Sequence, residues 1–260
     1  MQSFTPNNSS KMMNREVFKI ILMGLMVLDH ISYFISPYLA DIFHLITRVV
    51  AVGFAYLVVE GLYYTHSRKN YIGRLVGWGI FMSLGNCLMN LFVLRKQFAM
   101  SIIGDNIFLT LALGAIVIYL WDNHSEDEKR QKLLKILAII LMIITLLPLA
   151  EGSFVIVPFM FITQLTHNDP KKRDISYLCL MLILMLIELP MALSIPNITP
   201  LMLFDSVAMN ASDICFILII PFLYLYNGKQ SQYSKKLKYL FYIFYPMHLW
   251  IIHLIASMML

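Results

Sequence analysis

Ionisable residues stand well inside apolar stretches long enough to cross a bilayer: Asp29 and His30 in the stretch 17–36, and His44, Arg48 and Glu60 in the stretch 41–65. A charge at bilayer depth costs roughly 3 kcal/mol on insertion scales, so it persists where it is paired or lines a polar cavity. An imidazole beside a carboxylate is the arrangement that activates an amine or hydroxyl, or that itself takes an acyl group. At helical spacing Met26, Asp29, His30 and Tyr33 share one stripe. His44, Arg48, Ala51 and Ala55 share another, whose alanines let a neighbouring helix come close. The chain reverses between the two stretches, so Asp29 and Arg48 reach similar depth and an ion pair is available to them, leaving His30 free to exchange a proton. The plainer alternative is a buried ion pair that sets helix register.

Further polar groups fall at comparable depth. Asn86 lies in the third apolar run, Asn106 opens the fourth, Glu188 lies in the seventh, and His248 is near the middle of the ninth beside Tyr245 and Pro246. Together they outline a polar cavity displaced toward the outer leaflet. Glu60 and Gly61 sit nearer the other side, just before Tyr63, Tyr64 and the basic loop of His66, Arg68 and Lys69. Such a rim suits a phosphorylated, anionic ligand, although ordinary solvated charge explains it as simply.

The elements that must hold these groups are membrane helices. Of 260 residues, 59% are hydrophobic and 13% charged, with a mean hydropathy of +0.73, which excludes a soluble domain with a mixed charged surface. The apolar runs predict an all-α, polytopic bundle of about nine spans: 17–36, 41–65, 71–94, 106–121, 133–149, 153–166, 175–194, 212–226 and 237–259. Pro148, Pro158 and Pro221 mark expected kinks in the short sixth and eighth runs. Residues 1–16 read as a short polar cytoplasmic tail without the pattern of a cleaved leader, and residues 17–260 as a single membrane domain. With the N-terminus inside, 17 of the 20 Lys and Arg collect on the cytoplasmic side, which predicts a C-terminus outside. That bias accounts for the net charge of +5 without nucleic acid. The outer loops hold Asp41, Asp105, Glu151, Asp205 and Asp213, of which Glu151, wedged before the sixth run, stands out as functional. Cys87, Cys179 and Cys215 lie in apolar runs and are odd in number, so they read as small buried hydrophobes rather than a disulfide framework, and no metal site is read.

Four stretches carry a family resemblance: FKIILMGLMVLDHIS from Phe18, RVVAVGFAYLVVEGLYYT from Arg48, NIFLTLALG from Asn106 and LYNGKQSQYSKKLKYLFYIFYPMHLWII from Leu225. In order and along nearly the whole chain they resemble the TraX family of bacterial membrane proteins. The resemblance implies N-terminal acetylation of a conjugative pilin and kinship with membrane-embedded acyltransferases, which use a cytoplasmic acyl-CoA and an intramembrane histidine. Carried onto this chain, it implies His30 as base or acyl acceptor, Asp29 orienting it, Arg48 holding a carboxylate or oxyanion, and His248 as a second catalytic candidate. It implies Glu60, Asn106, Arg68 and Lys69 toward acetyl-CoA, with Asn106 as a hydrogen-bond donor to the acyl carbonyl. Glu151, Tyr33, Tyr245 and Glu188 fall toward the acceptor. One departure is local: relatives tend to show Asp-Tyr-Gly before the sixth run, where this chain has Glu151, Gly152 and Ser153.

The expectation is therefore a multi-pass protein of the bacterial cytoplasmic membrane that moves an acetyl group from acetyl-CoA to an amine or hydroxyl of a peptide or envelope glycan. A proton-coupled transporter using the same Asp, His, Arg and Glu groups is the main alternative. A non-catalytic assembly protein is the third, although it needs no buried ionisable groups. The oligomeric state stays open, a homodimer included.

Overall fold

Asn14 starts the first helix: its side chain accepts the Val17 N–H at 2.9 Å, satisfying one of the donors a helix start leaves open. In this computed structural model the described residues are 13–123, 126–147, 150–194, 199–232, 237 and 239–259. The expected tail through residue 12, the Pro148 kink, and Lys235, Lys236 and Lys238 lie outside them. Helix α1 (Arg15–His30) runs on through a 3-10 turn at Ile31–Phe34. It is followed by α2 (Pro37–Tyr64), α3 (Arg68–Phe92), α4 (Ile107–Asp122), α5 (Glu128–Thr145), α6 (Ser153–Leu165) and α7 (Pro170–Ala192). Then come α8 (Pro200–Asn210), a 3-10 segment (Ser212–Leu218), α9 (Ile219–Leu225) and α10 (Leu240–Met259). Ser67, Asp127, Asp169 and Thr199 cap α3, α5, α7 and α8 in the manner of Asn14. Among the described residues the only strand-like pairing is an isolated bridge between Met13 and Tyr226.

The chain divides into two units, one of residues up to Gly53 with Asn168–Ile252, the other of Phe54–His167 with the residues from His253 onward. In the first unit α1 buries Phe18, Leu22 and Met26, spaced four apart, and Phe18 packs on Phe222 and Tyr226. Gly53 lets α2 lie close against α1, because a Cβ there would stand 2.7 Å from both δ-carbons of Leu22. The first turn of α1 is tied down by Glu16, whose carboxylate accepts the Ser231 N–H at 2.6 Å.

In the second unit α4 has no exposed residue, its one less buried face running along Leu109, Leu113, Ile116 and Leu120, as its lack of a polar face requires. Gly114 lets it lie against Met160 of α6, and Gly79 of α3 admits Leu109. Val117, Ala138 and Val157 form the contact of α4, α5 and α6. A polar stripe on α3 holds the following loop: Ser83 donates to Ile102 O, Asn86 to Ser101 O, and Asn90 exchanges two bonds with Met100. Asn86, expected to line the cavity, is a loop anchor.

Among the described residues five helices are long and apolar enough to cross a membrane, α1 with its 3-10 turn, α2, α3, α7 and α10, and six spans result if α8 and the Ser212–Leu225 segment count as one. That last pair is bent by 71°, and α8 occupies residues expected to be loop. The expected fourth and sixth spans are shorter apolar helices, and the fifth begins on the charged turn Glu128–Lys132, so length and composition support fewer than nine. Rows of apolar side chains such as Leu84, Leu88 and Leu91 on α3 and Leu182 and Leu186 on α7 face outward, as lipid-facing surfaces do. The three cysteines are free, Cys87 and Cys215 half-buried and Cys179 exposed, so the expectation that they are buried is corrected.

Candidate functional site

Where α1 ends, three side chains of α2 converge on Asp29. Thr47 Oγ1 donates to its Oδ1 at 2.7 Å, His44 Nδ1 lies at 3.1 Å from the same oxygen, and Arg48 Nη2 reaches Oδ1 and Oδ2 at 3.1 and 2.9 Å. His44 Nδ1 also lies 3.2 Å from Arg48 Nη2, so it donates to the carboxylate in one tautomer and accepts from the guanidinium in the other. The spacing explains the convergence: His44, Thr47 and Arg48 stand three and four apart, one above the other on one helix face. Arg48 is committed on every side, since Nε donates to His44 O at 3.1 Å and Nη1 pairs with Asp213 at 3.8 Å. The expected ion pair is present, and the guanidinium is held by protein groups rather than left facing a substrate.

The two histidines expected to be catalytic meet. The ring of His30, the last residue of α1, lies 5.2 Å from that of His248 on α10, centroid to centroid. His248 stacks on Phe244 at 5.3 Å, and Tyr245, fully buried, closes its edge at 5.6 Å. Its Nδ1 donates to Phe244 O at 3.1 Å. That bond fixes the tautomer, because a carbonyl can only accept, and it leaves Nε2 as the ring's lone pair. Nε2 is buried and has no hydrogen-bond partner among the described residues.

Glu188 presents a second buried group of this kind. It is 8% exposed, neither carboxylate oxygen has a hydrogen-bond partner among the described residues, and it lies within electrostatic reach of Asp213. Both orphans sit beside helix prolines, Pro190 after Glu188 and Pro246 before His248. A proline gives up a backbone hydrogen bond and bends its helix, which membrane proteins tolerate beside cavities. Tyr33 is exposed and packs edge-on against Phe34.

The remaining expected residues belong to the second unit. Glu60 is buried next to Gly61, where a Cβ would stand 2.7 Å from the Tyr71 hydroxyl. Arg68 donates to Asp122 at 2.9 Å and to Leu62 O at 3.1 Å, and Gln164 donates to the same Asp122 oxygen at 2.7 Å. The positive charge expected to meet an anionic ligand is thus matched by Asp122, while Lys69 is exposed. Tyr63 stacks on His167 at 4.1 Å, and burial pushes the His167 imidazole down from its ordinary value against the opposing pull of Glu60. Asn106 spends its amide donors on Gly79 O at 2.8 Å and Ser83 Oγ at 2.9 Å, leaving Oδ1, an acceptor, as its free atom. Glu151 is half-buried; its backbone carbonyl accepts from Thr110 at 2.8 Å, and Gly152, at φ 58°, turns the chain into α6.

Thr47 and Asp213 are the site residues that sequence reasoning missed. Thr47 carried a signal, three residues from His44 and next to Arg48. Asp213, placed in an outer loop, opens the bent segment that brings it to Arg48.

A search of curated proteins finds no match, and neither does a search of solved structures. The family model described as TraX protein matches residues 14–256, from the Asn14 cap of α1 to the last turn of α10. That span takes in every residue of the Asp29, Arg48, His30, His248 and Glu188 constellation, and the chain belongs to the TraX family.

Proposed function

We propose that this protein is a membrane-embedded acyltransferase that moves an acetyl group from cytoplasmic acetyl-CoA to an amine or hydroxyl of a peptide, such as a pilin-like N-terminus, or of an envelope glycan. The observation that carries the reading is the His248 imidazole, held by Phe244 O with a buried, unpartnered Nε2 and with the His30 ring 5.2 Å away. An imidazole lone pair facing out of a fixed tautomer is what a general base requires. The acceptor's N–H or O–H proton passes to Nε2 while its nitrogen or oxygen bonds to the acetyl carbonyl carbon. The carbon–sulfur bond breaks, and the CoA thiolate takes the proton from the imidazolium. In a two-step variant His30 first accepts the acetyl group and then yields it to the acceptor. Asp29 and Arg48 keep the end of α1, and with it His30, in place.

Lys69 and Arg68 with Glu60 form the proposed cytoplasmic entry for the donor, and Glu151, Tyr33, Tyr245 and Glu188 belong to the acceptor side. The setting is the bacterial cytoplasmic membrane, crossed nine times from a cytoplasmic N-terminus. A reporter fused after Leu260 then reads as non-cytoplasmic, and a cytoplasmic signal overturns the odd count.

Activity is tested by incubating the purified protein with radiolabelled acetyl-CoA and peptide or glycan acceptors. Transfer that His248→Asn abolishes supports the reading, and absence of transfer to every acceptor removes it. The proton-coupled transporter is favoured by one observation, the 71° break beside Asp213, since broken spans frame many transport sites. Proton-driven uptake into proteoliposomes without acetyl transfer would establish it instead.

A further inference from the structure

Three arginines of the helices are each matched by a carboxylate: Arg48 by Asp29 at 2.9 Å, Arg68 by Asp122 at 2.9 Å and Arg173 by Asp174 at 2.7 Å. Arg74 of α3 has no such partner among the described residues, and its guanidinium lies over the Tyr71 ring, 5.4 Å from the centroid. It stands roughly 9 Å along α3 from the helix start at Arg68, at 1.5 Å per residue. With that start at the membrane surface, this is the depth where headgroups give way to acyl chains. A cation there calls for an anion, and the chain supplies none. Independently of its charge, Arg74 stands in a recess. With Gly77, Trp78 and Phe81 it lines a groove of about 330 Å³. Gly73 and Gly77 leave the space open, since a Cβ at either would meet nothing within 4 Å. The Trp78 wall is braced by Phe81 at 5.4 Å and by Phe108 of α4 at 6.3 Å, ring centroid to ring centroid.

At helical spacing Gly77, Phe81, Leu84 and Leu88 form one row, and Phe81, Leu84 and Leu88 are exposed, so the groove opens onto the face that lipid covers. The groove thus offers a guanidinium at one end, no acidic residue among those that line it, and an aromatic and aliphatic track beyond. From this we infer that the groove of Arg74, Gly77, Trp78 and Phe81 binds an anionic glycerophospholipid, its phosphate on the Arg74 guanidinium and an acyl chain along Phe81, Leu84 and Leu88. The planar guanidinium suits phosphate oxygens, which take paired N–H donors. A zwitterionic headgroup fits less well, because its own ammonium competes for the phosphate and meets no acid in the groove. A second copy of the chain, packed through Gly73 and Gly77, is opposed by charge: a two-fold axis along the membrane normal would set Arg74 against Arg74. In the proposed topology the start of α3 is cytoplasmic, so the lipid belongs to the inner leaflet. The inference does not rest on acetyl transfer.

Trp78 is itself the reporter. In full-length protein carrying Trp121→Phe and Trp250→Phe it is the one tryptophan left, and its fluorescence is followed in phosphatidylcholine bilayers as dibromo-acyl phosphatidylglycerol or dibromo-acyl phosphatidylcholine is added. The anionic lipid is expected to quench with about fivefold preference, the worth of one basic residue at an anionic membrane surface. Arg74→Gln, which removes the charge, and Gly77→Leu, which fills the groove and leaves the charge, are each expected to bring the preference close to one. Equal quenching by the two lipids in the parent overturns the inference, as does a preference retained in Arg74→Gln. A preference lost in Arg74→Gln and kept in Gly77→Leu assigns it to general surface charge and overturns the groove. Trp78 quenched by neither lipid, in a particle with the mass of two chains, gives the groove to a second copy and overturns the lipid. Native mass spectrometry of the chain with all its tryptophans reads the same preference without the Trp→Phe changes. There phosphatidylglycerol should be retained over phosphatidylcholine, and lost in Arg74→Gln; equal retention overturns the inference.

Discussion

Arg48 holds Asp29 through a single nitrogen, Nη2, placed 3.1 and 2.9 Å from the two carboxylate oxygens, while its other nitrogens reach His44 O and Asp213. The pair is mostly buried, with side-chain exposures of 23% and 18%. Removing one partner strands the other. Arg48→Ala should therefore destabilise the protein by about 3 kcal/mol or more, read as a lower thermal midpoint in detergent. Replacing both Asp29 and Arg48 by apolar residues of similar size should recover much of that loss, and a double variant no more stable than Arg48→Ala would show that the stranded charge is not the cause.

The tautomer of His248 can be separated from its bulk. Asn at position 248 keeps a donor for Phe244 O and removes the lone pair at Nε2. Acetyl transfer by His248→Asn should fall by about 10²- to 10⁴-fold with folding retained, the usual contribution of a general base. His30→Asn assayed in parallel should trap no labelled acyl-enzyme if the two-step route operates, and should leave transfer largely intact if His248 acts directly.

Gly53 sets the distance between α1 and α2. A methyl group there meets Leu22, itself fully buried, so Gly53→Ala should cost about 1–3 kcal/mol through overpacking. Adding Leu22→Ala to it should cost less than the two single effects summed, because each relieves the other. Strict additivity in a double-mutant cycle would argue against this contact.

Asn106 should act through structure. Its two donors end on Gly79 O and Ser83, so Asn106→Ala removes two hydrogen bonds that tie the start of α4 to α3 and should lower stability by about 1–3 kcal/mol. The KM for acetyl-CoA should stay unchanged in the folded fraction. A selective rise in that KM would return Asn106 to the donor site.

His167 predicts a pH dependence outside the spans. Burial lowers its pKa in the folded protein, whereas the unfolded chain titrates near 6.5. The unfolded state thus holds more protons just below pH 6.5, and stability should decline as the pH falls through that value until the folded pKa is reached. His167→Phe keeps a ring against Tyr63 and should flatten this part of the stability curve, measured by unfolding across pH.

What the sequence determined by itself was local or compositional. Mean hydropathy settles the helical membrane class, helical spacing puts His44 and Arg48 on one face, and the reversal between two apolar runs brings Arg48 to the depth of Asp29. The TraX motifs were legible for the same reason, as short runs of contiguous residues. Contacts between distant segments are a different matter, since hydropathy records how apolar a run is and not which neighbour it meets. Only the folded chain put His30 against His248, turned Asp213 from an expected loop acid into a partner of Arg48, and spent the donors of Asn106 on Gly79 O and Ser83 and that of Asn86 on loop carbonyls. Helix ends were obscured for a related reason. An apolar run does not reveal the 71° break at which α8 stops, because a bend changes direction without changing composition. Glu188 shows the limit most clearly: its sequence position says that a carboxylate is buried, and only its surroundings in the fold reveal that no donor among the described residues reaches it.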